Sequence, residues 1–475
     1  MSRPRVLAAL LLLPPLLPGR AAAAPESEAP APAWPAAPAA LDALVGEAFR
    51  ANLALAGEAL EVERAAARLA QARSYFFPRL DLAARYSRAE GGRTIDFPVG
   101  DLLNGAYATL NQLLAAQGQP ARFPPVANQS FSLLRDREQE TRLRLTQPLF
   151  APEITRSTRA ARASLAAREA QLAAYRRRLR AEVVEAFFRH AQAAAAVEIF
   201  RSALGLVGES LRVSRSLTAH GRATEDTVLR AEAEVATVQQ QLDEAAKDRD
   251  LARSYLNFLL NRPLPTPVPA LAEAEAARYA AALAATPLPA ADTARREELT
   301  ALTRGQHAAH EAAAAVQARR LPTLALAVEG GIQGGSYRTG AGSDYALGSL
   351  VLEWNLFDGG QRRGELTQAR LDERQAARRL AETHQQLDLQ LQQAAAEFAV
   401  ARTGLATAAL RRDSARAAYR LVALREAAGS ANQITVLDAR NTLTAAELND
   451  TITRARLCTA AARLDRAAAL TPLPP

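Results

Sequence analysis

Few residues of this chain carry chemistry of their own: five histidines, one cysteine and a scatter of carboxylates. His307 and His310 stand three apart, a spacing that puts both imidazoles on one side of a helix and can hold a metal ion. No carboxylate completes a motif such as HExxH around them, so a solvated pair is expected and no metal site is assigned. His190, His220 and His384 are isolated. GxSxG, a Walker loop, a dinucleotide-binding fingerprint and a catalytic carboxylate pair are all missing from the sequence, so neither an enzyme nor a cofactor is expected. Cys458 reads as a small residue packed between helices.

The elements that must position these residues are unusual in composition. Alanine, leucine, arginine, glutamate and glutamine dominate, aromatics are 5%, and glycine and proline gather in a few places, which favours long helices. Arg3 and Arg5, the apolar run from Val6 to Leu17 and the small residues of RAAAAP predict a secretory signal over 1–23, followed by a Pro/Ala-rich linker over 24–40. Removing Arg3, Arg5 and Arg20 takes the formal charge from +8 to +5 (8 − 3). Basic residues interleave with acids at helical spacing, as in ARLDERQAARRLAE, so a solvated helix face is expected and a nucleic-acid partner is not.

Four segments alternate at period two. Leu80, Leu82, Ala84 and Tyr86 share one side of the first; Leu143 and Leu145 oppose Arg142, Arg144 and Thr146 in the second. Leu324, Leu326 and Val328 align in the third, and Leu350, Leu352, Trp354 and Leu356 oppose Ser349, Glu353 and Asn355 in the fourth. Apolar on one side and charged on the other is the pattern of a barrel strand between lipid and a wet lumen. The expected strands are about 77–88, 140–150, 321–331 and 345–357. The rods expected between and after them cover 151–219 and 361–428, each roughly 100 Å long. Each ends in a glycine turn, at Gly221 and Gly429, and a shorter helix follows, at 223–260 and 432–468. In the first of these, Val228, Ala231, Val235, Val238 and Leu242 step as a heptad seam.

The chain repeats itself. Gly429 minus Gly221 is 208, as are Val436 minus Val228 and Leu464 minus Leu256, whereas Pro322 minus Pro78 is 244. The first repeat (41–262) therefore holds 36 more residues than the second (291–475) between its strands, 244 − 208. That surplus lies in a long loop over 91–138, and a connection of such length is functional or capping rather than filler. NRPLPTPVPA opens a proline-rich linker over 263–290, expected to be irregular.

TQPLFAPEITRSTRAARA and EWNLFDGGQRRGELTQARLDERQA resemble the strand-to-helix junctions of the TolC/OprM-like outer-membrane factor family, and ITVLDARNTLTAAELN resembles its second periplasmic hairpin. The resemblance covers the mature chain, with both repeats in order. It implies a mainly α fold with membrane β: four strands per protomer in a 12-stranded trimeric β-barrel, continued by a long periplasmic α-helical coiled-coil barrel. Four strands alone cannot close a barrel, and unpaired edges cannot face lipid, so cyclic assembly is required by the strands themselves. Composition does not choose three copies; the resemblance implies the homotrimer. At the junctions, Pro148, Leu149 and Phe150 form the first corner. Phe357, Asp358, Gly359 and Gly360 form the second, where Asp358 is placed to cap the helix and the glycines permit the bend.

What the resemblance implies about function is a passive exit duct of a tripartite efflux pump. It would sit in outer-membrane lipid of a Gram-negative bacterium and extend into the periplasm. Its partners would be a periplasmic adaptor (membrane fusion) protein, docking at the tips marked by Gly221 and Gly429, and an inner-membrane pump of RND or ABC type. The family's acidic ring on the second hairpin maps one aspartate onto Asp438. The position three residues earlier is Thr435 here, and Glu225 and Asp226 on the first tip are the candidates to restore the charge. Helix capping and dipole compensation explain the same acids locally. A type I secretion channel is the nearest alternative, and a periplasmic coiled-coil scaffold without a pore is the alternative of another class.

Overall fold

The computed structural model describes residues 34–289, 292–428, 430–431 and 433–473, without the side chains of 427 and 433. The expected signal, most of the linker over 24–40, and Gly429 lie outside the described residues. The elements run α1 (Ala39–Ala51), α2 (Leu53–Ser74), β1 (Arg79–Arg88), β2 (Thr94–Phe97), α3 (Val99–Ala116), β3 (Gln129–Ser132), β4 (Arg137–Phe150), α4 (Pro152–Ala219) and α5 (Glu225–Leu259). They continue with α6 (Glu273–Ala285), α7 (Glu297–Ala318), β5 (Thr323–Gly334), β6 (Asp344–Glu353), α8 (Gln361–Ala427) and α9 (Gln433–Ala468).

β1, β4, β5 and β6 form one antiparallel sheet in that order, so β1 and β6 are its open edges. Each strand leads into or out of a helix. On the sheet side α2 packs on α4, α4 on α7 and α7 on α8; away from it α5 packs on α4, α4 on α9 and α9 on α8. α4 and α8 run the whole length, while α2 abuts α5 and α7 abuts α9 end to end. Asn52 caps α2 by accepting from Leu55 N at 2.9 Å and donates to Leu259 O, the end of α5, at 2.9 Å. Arg296 precedes α7 and donates to Ala467 O near the end of α9 at 3.2 Å. The two joints obey the offsets read from the sequence, since 296 − 52 is 244 and 467 − 259 is 208. Asn261 and Ala469, again 208 apart, both adopt left-handed φ, 53° and 50°, where α5 and α9 stop.

The largest apolar core lies at these joints. Leu41, Leu44 and Ala48 of α1, Leu179, Val183 and Phe187 of α4, Leu256 of α5, Leu283 of α6, Phe398 of α8 and Leu457 and Leu464 of α9 are all buried in it. Trp34 meets Phe398 with ring centroids 5.7 Å apart. Cys458 is free and buried there, and burial pushes its thiol pKa up to about 12.

Three departures from the sequence-based expectation have local causes. The first helix of repeat one is two helices, because Asn52 is extended (φ −66°, ψ 121°) and begins a new one with its side chain. The linker over 263–290 contains α6, which starts where the prolines pause and buries Ala280 and Leu283. The fourth strand stops at Glu353 rather than near 357. Its last partner is Thr323, and Pro322 before it has no N–H with which to continue the ladder. Trp354 instead donates its indole N–H to Arg320 O at 3.1 Å.

Candidate functional site

The sheet sorts its two sides by register. Leu82 faces Leu143 across β1 and β4, Leu80 faces Leu145, Leu145 faces Val328, and Leu326 faces Leu350. The apolar residues of all four strands therefore form one continuous surface, and Leu80, Leu82, Tyr86, Val328, Leu350 and Leu352 on it are exposed. With no partner there, such a surface is placed to meet hydrocarbon.

The opposite side is a chain of ion pairs. Arg79 holds Asp81 at 2.9 Å, Arg85 reaches Glu140 at 3.2 Å, and Arg142 lies between Glu140 at 3.5 Å and Glu329 at 3.7 Å. Arg144 approaches Glu329 at 4.0 Å, and Tyr345 donates its hydroxyl to Glu329 at 2.8 Å. Gly331 lets β4 pass close by, since a Cβ there would stand 2.5 Å from Thr141 O. A polar wall crossing lipid with its charges paired laterally can border water.

Both corners are built as rigid bends. In the first, the β4–β5 register shifts between Pro148 and Phe150, so Leu149 is an extra residue in the ladder, and Pro152 opens α4. In the second, Gly359 and Gly360 take φ of 64° and 94°, conformations that a side chain disfavours. Asp358 accepts from Gly360 N at 3.1 Å and from Arg362 N at 3.3 Å. Phe357 is exposed. Sequence reading overlooked two arginines that hold this region. Arg362 pairs with Asp358 at 2.7 Å and donates to Arg319 O and Asn355 O at 3.2 and 2.7 Å. Arg319, at the end of α7, clasps Glu153 of α4 at 2.7 Å and Glu365 of α8 at 3.2 Å, and these acids raise its pKa.

At the far end, α4 closes in a Schellman turn: Gly221 has φ 67°, Gly221 N bonds Thr218 O at 2.9 Å and Arg222 N bonds Leu217 O at 2.8 Å. Ser430 N makes the corresponding bond to Arg425 O at 2.8 Å. Glu225 and Asp226 stand in the first turn of α5, where Asp226 accepts the Thr224 hydroxyl and lies 3.8 Å from Arg230. Thr435 and Asp438 stand in the opening turns of α9, and Asp438 is exposed. The acids thus sit at two separate helix starts, one per hairpin. Arg440, two residues beyond Asp438, was not singled out in the sequence: it is buried, 3.9 Å from Glu234 of α5, and its Nε and Nη2 have no hydrogen-bond partner.

The two histidines of the candidate metal pair go to different carboxylates. His310 meets Glu373 of α8 at 2.8 Å, and His307 lies 4.0 Å from Glu311.

A sheet with one oily and one charged side thus leads into two helices of 68 and 67 residues, α4 and α8. The family model for outer membrane efflux proteins matches residues 44–262 and 288–470, one stretch for each repeat. The chain belongs to the outer membrane efflux protein family. A search of curated proteins matches none. Among solved structures, the fold is similar to the outer-membrane channel OprN, at 19% identity and TM-score 0.70, over 90% of this chain and 89% of that one. It is similar to the Campylobacter jejuni CmeC outer membrane channel at 17% identity and TM-score 0.73, over 91% and 86%. The open state of the Neisseria gonorrhoeae MtrE outer membrane channel matches at 20% identity and TM-score 0.71, over 90% and 88%. As a member of that family, the protein is an outer-membrane efflux protein.

Proposed function

We propose that three copies close into a 12-stranded barrel continued by a 12-helix tunnel, and that this homotrimer is the passive exit duct of a tripartite efflux pump. The observation that carries the reading is the state of the protomer's two flanks. β1 and β6 leave their outer edges unpaired, which lipid does not tolerate. The helices below those edges repeat the problem: α8 exposes Leu371, Leu389, Val400, Leu410 and Leu421, and on the other flank α2 exposes Leu60 and α5 exposes Leu229, Leu251 and Phe258. Joining one copy's β6 and α8 to the next copy's β1, α2 and α5 covers both at once, and closed rings are the usual outcome of such head-to-tail contacts. The test is direct. Purified mature protein is expected as a trimer that conducts ions in planar bilayers; a monomer impermeable to electrolytes overturns the reading.

Energy would come from an inner-membrane pump of RND or ABC type, and a periplasmic adaptor would dock on the tips at Gly221 and Gly429. The acids at those tips are assigned to the periplasmic entrance, with Asp438 and Asp226 in the leading roles and Glu225 and Thr435 beside them. A ring of carboxylates favours cations and binds multivalent ones. Replacing Asp438 and Asp226 together with alanine is expected to raise single-channel conductance and weaken block by multivalent cations. Unchanged conductance in both respects removes them from the entrance.

A further inference from the structure

The surplus of the first repeat is folded. β2 and β3 pair beyond the β1–β4 hairpin, which they join through Ala89 N to Asp136 O at 3.0 Å and Leu133 N to Arg93 O at 2.9 Å. At their far end stands α3, and its polar side is already occupied by the returning chain. Asn104 donates to Val126 O at 2.9 Å and accepts from Val126 N at 2.8 Å. Asn111 donates to Phe123 O at 2.6 Å and accepts from Arg122 N and Phe123 N, each at 3.1 Å. Asn128 accepts from Gly100 N at 2.8 Å and Asp101 N at 3.1 Å. The fit is close enough that a Cβ on Gly100 would lie 2.3 Å from Val126 O.

The opposite side of α3 carries Leu102, Ala106, Leu110 and Leu113, spaced four, four and three, with Leu103 beside them. The leucines are exposed, Leu102 to 75%. Among the described residues nothing covers this stripe. We propose that it is covered by the same stripe from the other two copies, so that three α3 helices close over the outer mouth of the trimer as an apolar lid; this rests on the trimeric reading above.

Charge selects this occupant over the outer leaflet. Asp101 is the sole charged residue from Pro98 to Ala121, whereas a helix that lies on an anionic lipid surface presents Lys and Arg from its polar side. The polar side of α3 is spent on its own chain. Identical helices meeting around an axis are penalised by like charges, and the stripe has none. Size agrees as well: an 18-residue helix is about 27 Å long. A twelve-stranded barrel with strands about 4.8 Å apart and tilted by roughly 40° is on the order of 24 Å across. One α3 can therefore reach from the wall to the axis. The β5–β6 connection is short by comparison, 335–343. An apolar constriction of this kind impedes the passage of water and ions without sealing the mouth.

The experiment uses the full-length trimer with Leu110→Cys. Cys458 is buried and its raised pKa keeps it silent toward oxidants. Copper phenanthroline is expected to join copies through residue 110. The variant Leu102→Gln/Leu110→Gln/Leu113→Gln is expected to keep the trimer and raise its conductance severalfold. Trimers that form normally but neither crosslink nor change conductance overturn the lid alone. A spin label at 110 relaxed by lipid-dissolved oxygen overturns it in favour of the outer leaflet. Loss of the trimer in the unmodified protein overturns the assembly reading with it.

Discussion

Leu143→Arg is expected to leave the helices folded and to abolish the heat-resistant trimer in the outer membrane. Leu143 sits midway along β4, between Leu82 on one side and Gly330 on the other, and its side chain is exposed on the apolar surface. An arginine near the bilayer midplane costs about 2–4 kcal/mol in a barrel, so three copies lose about 6–12 kcal/mol on closing. The neighbours in sequence, Arg142 and Arg144, pay nothing of the kind, because they point to the other side and pair with Glu140 and Glu329. Ser349→Arg, on that charged side, is the control and is expected to assemble normally. The readouts are the trimer band in unheated samples, the membrane fraction, and helical circular dichroism. Normal assembly of Leu143→Arg would mean that the apolar side of the sheet does not face lipid.

That contrast also marks what could be read in the sequence. Period two needs no knowledge of neighbours, so the apolar side of each strand was assignable one at a time, though only the four together pointed to lipid, and the register then placed Leu82 against Leu143 and Leu326 against Leu350. The repeat offsets were equally visible, and they recur in the joints at Asn52 and Arg296. Partners far apart in the chain were not legible. Arg177 and Arg362 occur in arginine-rich helical text in which a solvated arginine and a partnered one look alike, and only the fold brings Arg177 to a glutamate 120 residues away. The same holds in the 91–138 segment, which reads as a loop and holds Asn104, Asn111 and Asn128. Each is spent on backbone groups more than ten residues off, which allows a helix between them. At the tips, local and functional readings share the same atoms: a carboxylate in a first helical turn satisfies the dipole whether or not it also lines an entrance.

The joint between α7 and α9 offers the second large effect. Arg177 of α4 is buried, forks onto both oxygens of Glu297 at 2.6 and 2.7 Å, and donates to Thr471 O at 3.0 Å. One guanidinium thus ties the through-going helix to the first residue of α7 and to the chain leaving α9. Removing either charge leaves the other unpaired in a largely buried site, a change that costs about 3–5 kcal/mol. Arg177→Met and Glu297→Met are each expected to lower stability by that amount. The double variant is expected to lose much less than the sum, because both charges leave together and apolar side chains fill the space. Denaturation followed by helical circular dichroism in detergent measures all three, and the coupling energy of the cycle isolates the pair. If Arg177→Met falls within about 0.5 kcal/mol of the unmodified protein, as an ordinary surface substitution does, the joint is held by its apolar core. Leu256, Phe398 and Leu464 would then carry the load that the arginine is assigned here.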